Sequence, residues 1–224
     1  MSESLPFWER PEIVEMFASR PPDNRMLAWL RGKPKTTRVL DLGSAGGRNT
    51  AWLAEQGFDF FALDASSAMI AKTREQVVPY VGEQEALRRV RQGQMQDQQC
   101  FASDTFDLII ALGIFHGAQN ESQWHSAIAE TARVLRPGGE ILVAHFSPRS
   151  QPNGVPLPRL DGEPHMFQGF DSDRRMLLLE PDELDTRVAN YGLFPVIPTS
   201  DVLVLAETGY RVTVNAHYKK ARST

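Results

Sequence analysis

Three groups of residues in this sequence have types and spacing that fit chemistry. The first is Asp41-Leu42-Gly43-Ser44-Ala45-Gly46-Gly47, which follows the short apolar run from Arg38. A loop this poor in side chains lets a ligand approach the backbone closely, and the helix predicted from Thr50 to Gln56 offers unpaired N–H groups at its start. The second is Asp64, at the end of the predicted strand Phe58-Asp59-Phe60-Phe61-Ala62-Leu63. It lies about 20 residues beyond Gly43, the separation at which a carboxylate on a second strand reaches a ribose held by the first loop. The third is Gly113-Ile114-Phe115-His116-Gly117, which ends the strand predicted over Phe106–Leu112. That strand is nearly all apolar, as a central parallel strand covered on both faces should be. Ligands of open α/β sheets gather at the carboxyl ends of strands, so His116 stands where a reacting atom would be. The pattern is that of a nucleoside-binding unit.

The glycine spacing narrows the nucleoside. A dinucleotide fingerprint, G-x-G-x-x-G, wants its third glycine where the helix packs on the strand, and here that position is Arg48. Asp-x-Gly-x-(small)-x-Gly fits instead, through Asp41, Gly43, Ala45 and Gly47. This resembles motif I of the class I S-adenosylmethionine-dependent methyltransferases, with Ala45 in place of the usual middle glycine. Asp64, Ser66 and Met69 match that family's Asp-x-Ser-x-x-Met segment. Gly93-Gln94-Met95 resembles its Gly-Asp-apolar element, with an amide in place of the carboxylate. Val134-Leu135-Arg136-Pro137-Gly138-Gly139 resembles the hairpin before its fifth strand.

The resemblance implies a three-layer Rossmann-like α/β sandwich whose mostly parallel, seven-stranded sheet closes in an antiparallel hairpin. It implies S-adenosylmethionine as cofactor, S-adenosylhomocysteine as product, and a methyl group passed by in-line displacement to a small-molecule acceptor. The cofactor would be held by Asp41, Gly43, Ser44, Ala45, Gly47, Asp64, Ala65, Met69, Gln94, Met95 and Leu112. Asp41 would support the ammonium, and Asp64 would accept both ribose hydroxyls. His116 is the candidate general base where the acceptor keeps its proton until attack, and His145 is a poorer one. Three other classes stay open. One is an NAD-dependent oxidoreductase, which Arg48 and the closing hairpin count against. The others are a non-catalytic S-adenosylmethionine- or nucleoside-binding protein, and a different group transfer on the same fold.

The elements that must position these groups fit one domain over 1–224. Its 224 residues are 42% hydrophobic and 23% charged, which are globular values. Residues 1–36 read as a helical arm: Ile13, Met16 and Phe17 share a face, Asp23 caps a second helix, and Phe7 and Trp8 pin the arm or form a lid. Pro79 and Gly82 break the helix that follows Ser66, and a charged helix runs from Glu83 to Arg91. A helix is predicted over Ser122–Val134 and a strand over Glu140–Phe146. Residues 147–175 form a Pro- and Gly-rich insert that reads as a partly ordered substrate cover. A helix opens at Pro181, and strands at Phe194–Pro198 and Tyr210–Tyr218 close the chain around a turn at Thr208-Gly209. No apolar run approaches the roughly 20 residues of a membrane span. The start Met1-Ser2-Glu3-Ser4 has no signal-peptide character, and the single Cys100 supports neither a disulfide framework nor a multi-cysteine metal site. These features point to the cytoplasm. A net charge of −4 gives no pull toward nucleic acid, and Arg88-Arg89-Val90-Arg91 reads as a solvated helix face.

Overall fold

The computed structural model describes residues 5–170 and 174–222. Residues 1–4 of the arm and 171–173 of the insert lie outside the described residues. The chain forms two compact units, Met1–Met95 with Phe106–Ile110, and Gln96–Thr105 with Ala111–Thr224.

The first unit opens with a 3-10 turn, Phe7–Glu9. Helix α1 (Pro11–Ala18) has proline in its first turn, where no donor is lost, and buries Val14 and Ala18. Helix α2 (Asn24–Leu30) is capped by Asp23, whose carboxylate accepts from the Arg25 N–H at 2.9 Å. Strand β1 (Arg38–Leu42) is the axis of the unit. Val39 and Leu40 are fully buried, which fits a strand covered on both faces. Helix α3 (Arg48–Glu55) follows, starting two residues before the expected Thr50. Strand β2 (Asp59–Asp64) then pairs in parallel with β1, Leu40 opposite Phe61. Helix α4 (Ser67–Val81) is capped by the Ser66 hydroxyl and runs through Pro79, where the sequence predicted a break. The proline falls in the last turn, so the helix continues to Gly82 before stopping, and the Gly82 N–H still reaches the Val78 carbonyl. Helix α5 (Glu83–Arg89) and strand β3 (Val90–Gln92) complete the run, with β3 parallel to β2. Strand β4 (Phe106–Leu112) lies parallel to β1 on its other side, Leu40 opposite Ile109.

In the second unit, helix α6 (Glu121–Val134) is capped by Asn120 and buries Trp124, Ile128 and Val134. Strand β5 (Leu135–Phe146) begins before Arg136-Pro137-Gly138-Gly139 rather than after it. Short strands β6 (Met166–Gln168) and β7 (Arg175–Leu177) pair antiparallel to each other. Helix α7 (Pro181–Ala189) starts on proline, and the Glu183 carboxylate accepts from the Glu180 N–H. Strands β8 (Leu193–Pro195), β9 (Ser200–Leu205) and β10 (Tyr210–Lys220) finish the chain. Strand β10 runs antiparallel to β5, from Thr213 opposite Phe146 to Lys219 opposite Glu140.

The architecture is mixed α/β, a mostly parallel sheet with a C-terminal antiparallel hairpin. The main sheet has eight strands rather than seven, because β8 and β9 share one edge of β10. The hairpin partner of β10 across the Thr208-Gly209 turn is β9, not Phe194–Pro198. Its apolar run Val202–Leu205 has no alternation to mark it, since every residue of β9 is exposed. The insert is ordered through its described residues. Gln151 bridges to Tyr210 and Arg159 to Phe167, and Leu157 and Phe170 pack on Phe167, Met176 and Leu178. No helix among the described residues is long and apolar enough to cross a membrane.

Candidate active site

The loop after β1 is shaped by three residues in the left-handed region, Gly43 (φ 76°), Ala45 (φ 47°) and Gly47 (φ 89°). Gly47 cannot carry a side chain: a Cβ there would lie 2.9 Å from Thr73 on α4. Gly46 is equally tight, with a Cβ site 2.7 Å from Ala18 of α1. The loop is tied to the end of β2, where the Gly43 N–H donates to the Leu63 carbonyl at 2.8 Å. The Thr73 hydroxyl donates to the Ala45 carbonyl at 2.8 Å. The Ser44 hydroxyl is buried in this loop with no hydrogen-bond partner. A buried hydroxyl in that state is a ready contact for a polar ligand group.

Asp64 stands at the end of β2 with both oxygens anchored. Oδ2 accepts from the Ala45 N–H and Oδ1 from the Ser66 N–H, each at 2.9 Å. Burial pushes its pKa up against the pull of those backbone donors. Each oxygen keeps a further lone pair for a hydroxyl. Asp41 is buried, and its Oδ2 accepts from the Thr50 hydroxyl at 2.6 Å. Desolvation pushes its pKa up to about 6, against that bond. The folded value lies above the ordinary 3.8, so the folded chain holds an extra proton between about pH 4 and 6. Stability therefore falls as pH rises through that window, by about 3 kcal/mol once Asp41 is ionised. A cationic ligand group beside Asp41 would relieve that cost.

The other predicted residues of this unit are placed unevenly. Gly93 donates to the Asp64 carbonyl at 2.9 Å, so Gly93-Gln94-Met95 does run beside Asp64. Gln94 is exposed there and Met95 buried. The amide that touches the second loop is that of Gln92, which donates to the exposed Ala65 at its carbonyl. The Met69 side chain is fully buried in the first turn of α4, where its N–H donates to Ser66 Oγ. Sequence reasoning missed Glu9. Its carboxylate accepts from the Ser67 and Ala68 N–H groups and the Ser67 hydroxyl, capping α4 from the arm. Burial raises the Glu9 pKa, but these donors outweigh it and hold the carboxyl below its ordinary value. The Ser66 hydroxyl in turn donates to the Trp8 carbonyl. Trp8 packs edge-on against Phe7 and Phe17 within the arm, and the bonds of Glu9 and of the Trp8 carbonyl tie the arm to the start of α4.

A groove of about 630 Å³ also lies in this unit, lined by Lys35, Arg38, Phe61, Arg88 and Arg89. It sits at the amino ends of β1 and β2, away from the loop. Arg38 and Arg89 are paired with Asp59, and Arg88 and Arg89 with Glu85, so it is an ion-pair network.

In the second unit, Leu112 is half-buried at the end of β4, and His116 follows in a 3-10 turn, Phe115–Gly117. Gly113, at φ 94°, lets the His116 ring lie against the chain; a Cβ there would be 3.4 Å from its Cε1. The ring tilts onto Phe146 at 4.3 Å between centroids, and Phe146 meets Phe170 of the insert at 4.9 Å. Burial, with His145 and Arg174 nearby, pushes the His116 pKa well below the usual histidine value. The residue as a whole, backbone included, is half-buried. It is a neutral imidazole beside an apolar, aromatic wall.

Residues 39–139 match the family model described as a methyltransferase domain. The demethylmenaquinone methyltransferase of Renibacterium salmoninarum is 34% identical over 113 residues, which are 49% of this chain and 41% of that protein. The chain thus spans well under half the length of this curated relative. A Methanosarcina mazei S-adenosylmethionine-dependent methyltransferase superposes with a TM-score of 0.67 at 13% identity, covering 91% of this chain and 100% of that one. The Burkholderia thailandensis 1,6-didemethyltoxoflavin-N1-methyltransferase, solved with bound 1,6-didemethyltoxoflavin and S-adenosylhomocysteine, gives a TM-score of 0.62 at 20% identity, covering 93% of this chain and 78% of that one. Residues 39–139 thus resemble a methyltransferase domain, and the chain has the fold of these solved methyltransferases.

Proposed function

We propose that the chain is an S-adenosylmethionine-dependent methyltransferase acting on a small organic acceptor. The observation that carries this is the loop after β1. Left-handed Gly43, Ala45 and Gly47 open the backbone, the Ser44 hydroxyl is buried and unpartnered, and Asp64 is fixed by two backbone donors beside it. The methionyl end of the cofactor takes the loop N–H groups and Ser44 for its carboxylate and Asp41 for its ammonium. The ribose hydroxyls donate to Asp64, and Ala65, Gln94 and Met95 border the base. Met69, fully buried, serves through the turn it builds. The cofactor supplies an activated methyl group on a sulfonium, and the protein aligns the partners and excludes water.

Curated relatives and a structural neighbour named for demethylmenaquinone and 1,6-didemethyltoxoflavin support a small-molecule acceptor. The wall of Phe146 and Phe170 supports one with an apolar face, with the ordered insert as part of its cover. His116 is the base for an acceptor that arrives protonated, and Leu112 borders the same strand end. We read 1–224 as one functional domain working in the cytoplasm. Calorimetry with S-adenosylhomocysteine, followed by methyl transfer over a panel of small hydroxyl- and amine-bearing acceptors, tests the reading. No binding at millimolar ligand overturns it. Binding without transfer to any acceptor favours the non-catalytic alternative.

A further inference from the structure

Two buried nitrogens on adjacent rings of the second unit lack hydrogen-bond partners: Nδ1 of His116 and Nε2 of His145. The ring centroids are 5.9 Å apart and the planes stand at 83°. His145 is fully buried on β5, and its Nδ1 lies 3.0 Å from the Phe146 carbonyl oxygen. A carbonyl only accepts, so Nδ1 carries the proton of the neutral ring. Burial keeps that ring neutral, with its pKa pushed down to about 4. Nε2 of His145 is therefore a bare lone pair without a donor.

His116 presents the complementary atom. The residue as a whole is half-buried, and Nδ1 but not Nε2 is both sealed from solvent and unpartnered, which leaves Nε2 as the more open nitrogen. With the proton on Nε2, two buried lone pairs on neighbouring rings would have no donor for either. With the proton on Nδ1, one donor and one acceptor stand on neighbouring rings whose centroids are 5.9 Å apart.

We propose that His145 is a positioning residue whose Nε2 draws the His116 proton to Nδ1 and leaves Nε2 of His116 bare to take a proton from the methyl acceptor. This rests on the reading of His116 as base in a methyl transfer. In that step the acceptor X–H bond breaks and its proton moves to Nε2 of His116. The electron pair on X forms the bond to carbon, and the methyl–sulfur pair returns to sulfur. The resulting imidazolium donates from Nδ1 to His145, which offsets the burial that disfavours charge on His116. The proton then leaves from Nε2 to solvent. Phe146, tilted against the ring, and Gly113, which leaves it room, hold His116 in that orientation. The cations of Arg174 and Arg187 act on the pair from the segments that carry them, and each opposes a second positive charge there.

Nitrogen-15 NMR of histidine-labelled protein at neutral pH decides the point without any acceptor. His116 should show a protonated Nδ1 and a bare Nε2. His145→Phe keeps a ring but removes the lone pair, and should move His116 toward the Nε2–H form. His145→Gln, whose Oε1 accepts, should preserve the native tautomer. Unchanged S-adenosylhomocysteine affinity in both variants checks that they fold. In methyl transfer, His145→Phe should lower kcat about 10- to 100-fold with KM nearly constant, and His145→Gln should recover most of it. A wild-type His116 protonated on Nε2 overturns the proposal, as does a tautomer or a kcat indifferent to His145→Phe. If no acceptor is methylated even by the wild-type chain, the functional reading fails while the tautomer measurement still stands on its own.

Discussion

The loop after β1 and the histidine pair near the insert solve the same problem in opposite ways. In the loop, every bond involves the backbone: Asp64 accepts from the Ala45 and Ser66 N–H groups, and the Ala45 carbonyl accepts from the Thr73 hydroxyl. The Ala45–Asp64 bond joins two consecutive strand ends and the other two lie in the turn and helix that follow, so their spacing follows from one short run of chain. Around His116 the partners are side chains from separated segments, Phe146 on β5 and Phe170 in the insert, and the key nitrogens have no partner. A backbone cradle fixes one ligand geometry, whereas a side-chain wall can be reshaped by single substitutions.

The sharpest break in that comparison is Asp64→Ala. It removes the two-oxygen acceptor that the Ala45 and Ser66 N–H groups hold. Losing the hydrogen bonds to a charged acceptor should cost about 2–4 kcal/mol of S-adenosylhomocysteine affinity, or roughly 30- to 1,000-fold, by calorimetry. The histidine resonances should stay unmoved. Unchanged affinity would place the ribose elsewhere.

Gly47→Ala attacks the shape of the loop instead of its charge. The new methyl meets Thr73 at 2.9 Å in a left-handed conformation, and the neighbouring atoms are backbone as well as side chain. Strain and overpacking together should cost about 2–4 kcal/mol of stability in urea unfolding. A change under about 1 kcal/mol would mean that α4 yields.

The counterpart in the second unit is Phe170→Ala. It removes a ring that packs on Phe146 and on the cluster of Phe167, Met176 and Leu178. Acceptor KM should rise about tenfold, as losing an aromatic contact implies, with S-adenosylhomocysteine affinity unchanged. Equal losses for cofactor and acceptor would erase the division of labour between the two regions.

That division also explains what was legible in the sequence. The strand β1, its loop and Asp64 are encoded within a few dozen residues by apolar runs, small residues and one spaced acid. Glu9 was not legible, because it caps α4 from 58 residues away and a lone glutamate near a terminus carries no signal. His145 reads as an ordinary strand histidine until the Phe146 carbonyl fixes its tautomer and His116 stands beside it. The strand β9 was missed because its residues are exposed on both sides, so no alternation marks it. Short-range pattern reports the loop after β1, and long-range pairing builds the wall beside His116.

Asp41 supplies a pH test confined to the loop. With its pKa raised to about 6 in the unliganded chain, it is ionised at pH 7 and largely protonated at pH 5. A cofactor whose ammonium sits beside it binds the ionised form. Affinity for S-adenosylhomocysteine should therefore fall about tenfold from pH 7 to 5, and the fall should vanish in Asp41→Asn. Calorimetry at the two pH values checks both. A flat wild-type profile would remove Asp41 from the ammonium.

The smallest expected effect is the most informative about the departure from the family's motif. Ala45 occupies a left-handed position, φ 47°, where the resembled motif has glycine. A non-glycine residue there carries roughly 1–2 kcal/mol of steric strain. Ala45→Gly would relieve it, but glycine also gains freedom in the unfolded chain, worth about 0.5–1 kcal/mol in the other direction. The two nearly cancel, so stability should move by less than about 1 kcal/mol, in contrast to Gly47→Ala in the same turn. The Ala45 N–H still donates to Asp64 and its carbonyl still accepts from Thr73, since neither bond involves the methyl. Cofactor affinity should accordingly stay within about threefold, a difference of less than 1 kcal/mol. A tenfold loss in calorimetry would show that the methyl itself packs on the cofactor, and that a side chain helps to fit this loop to its ligand.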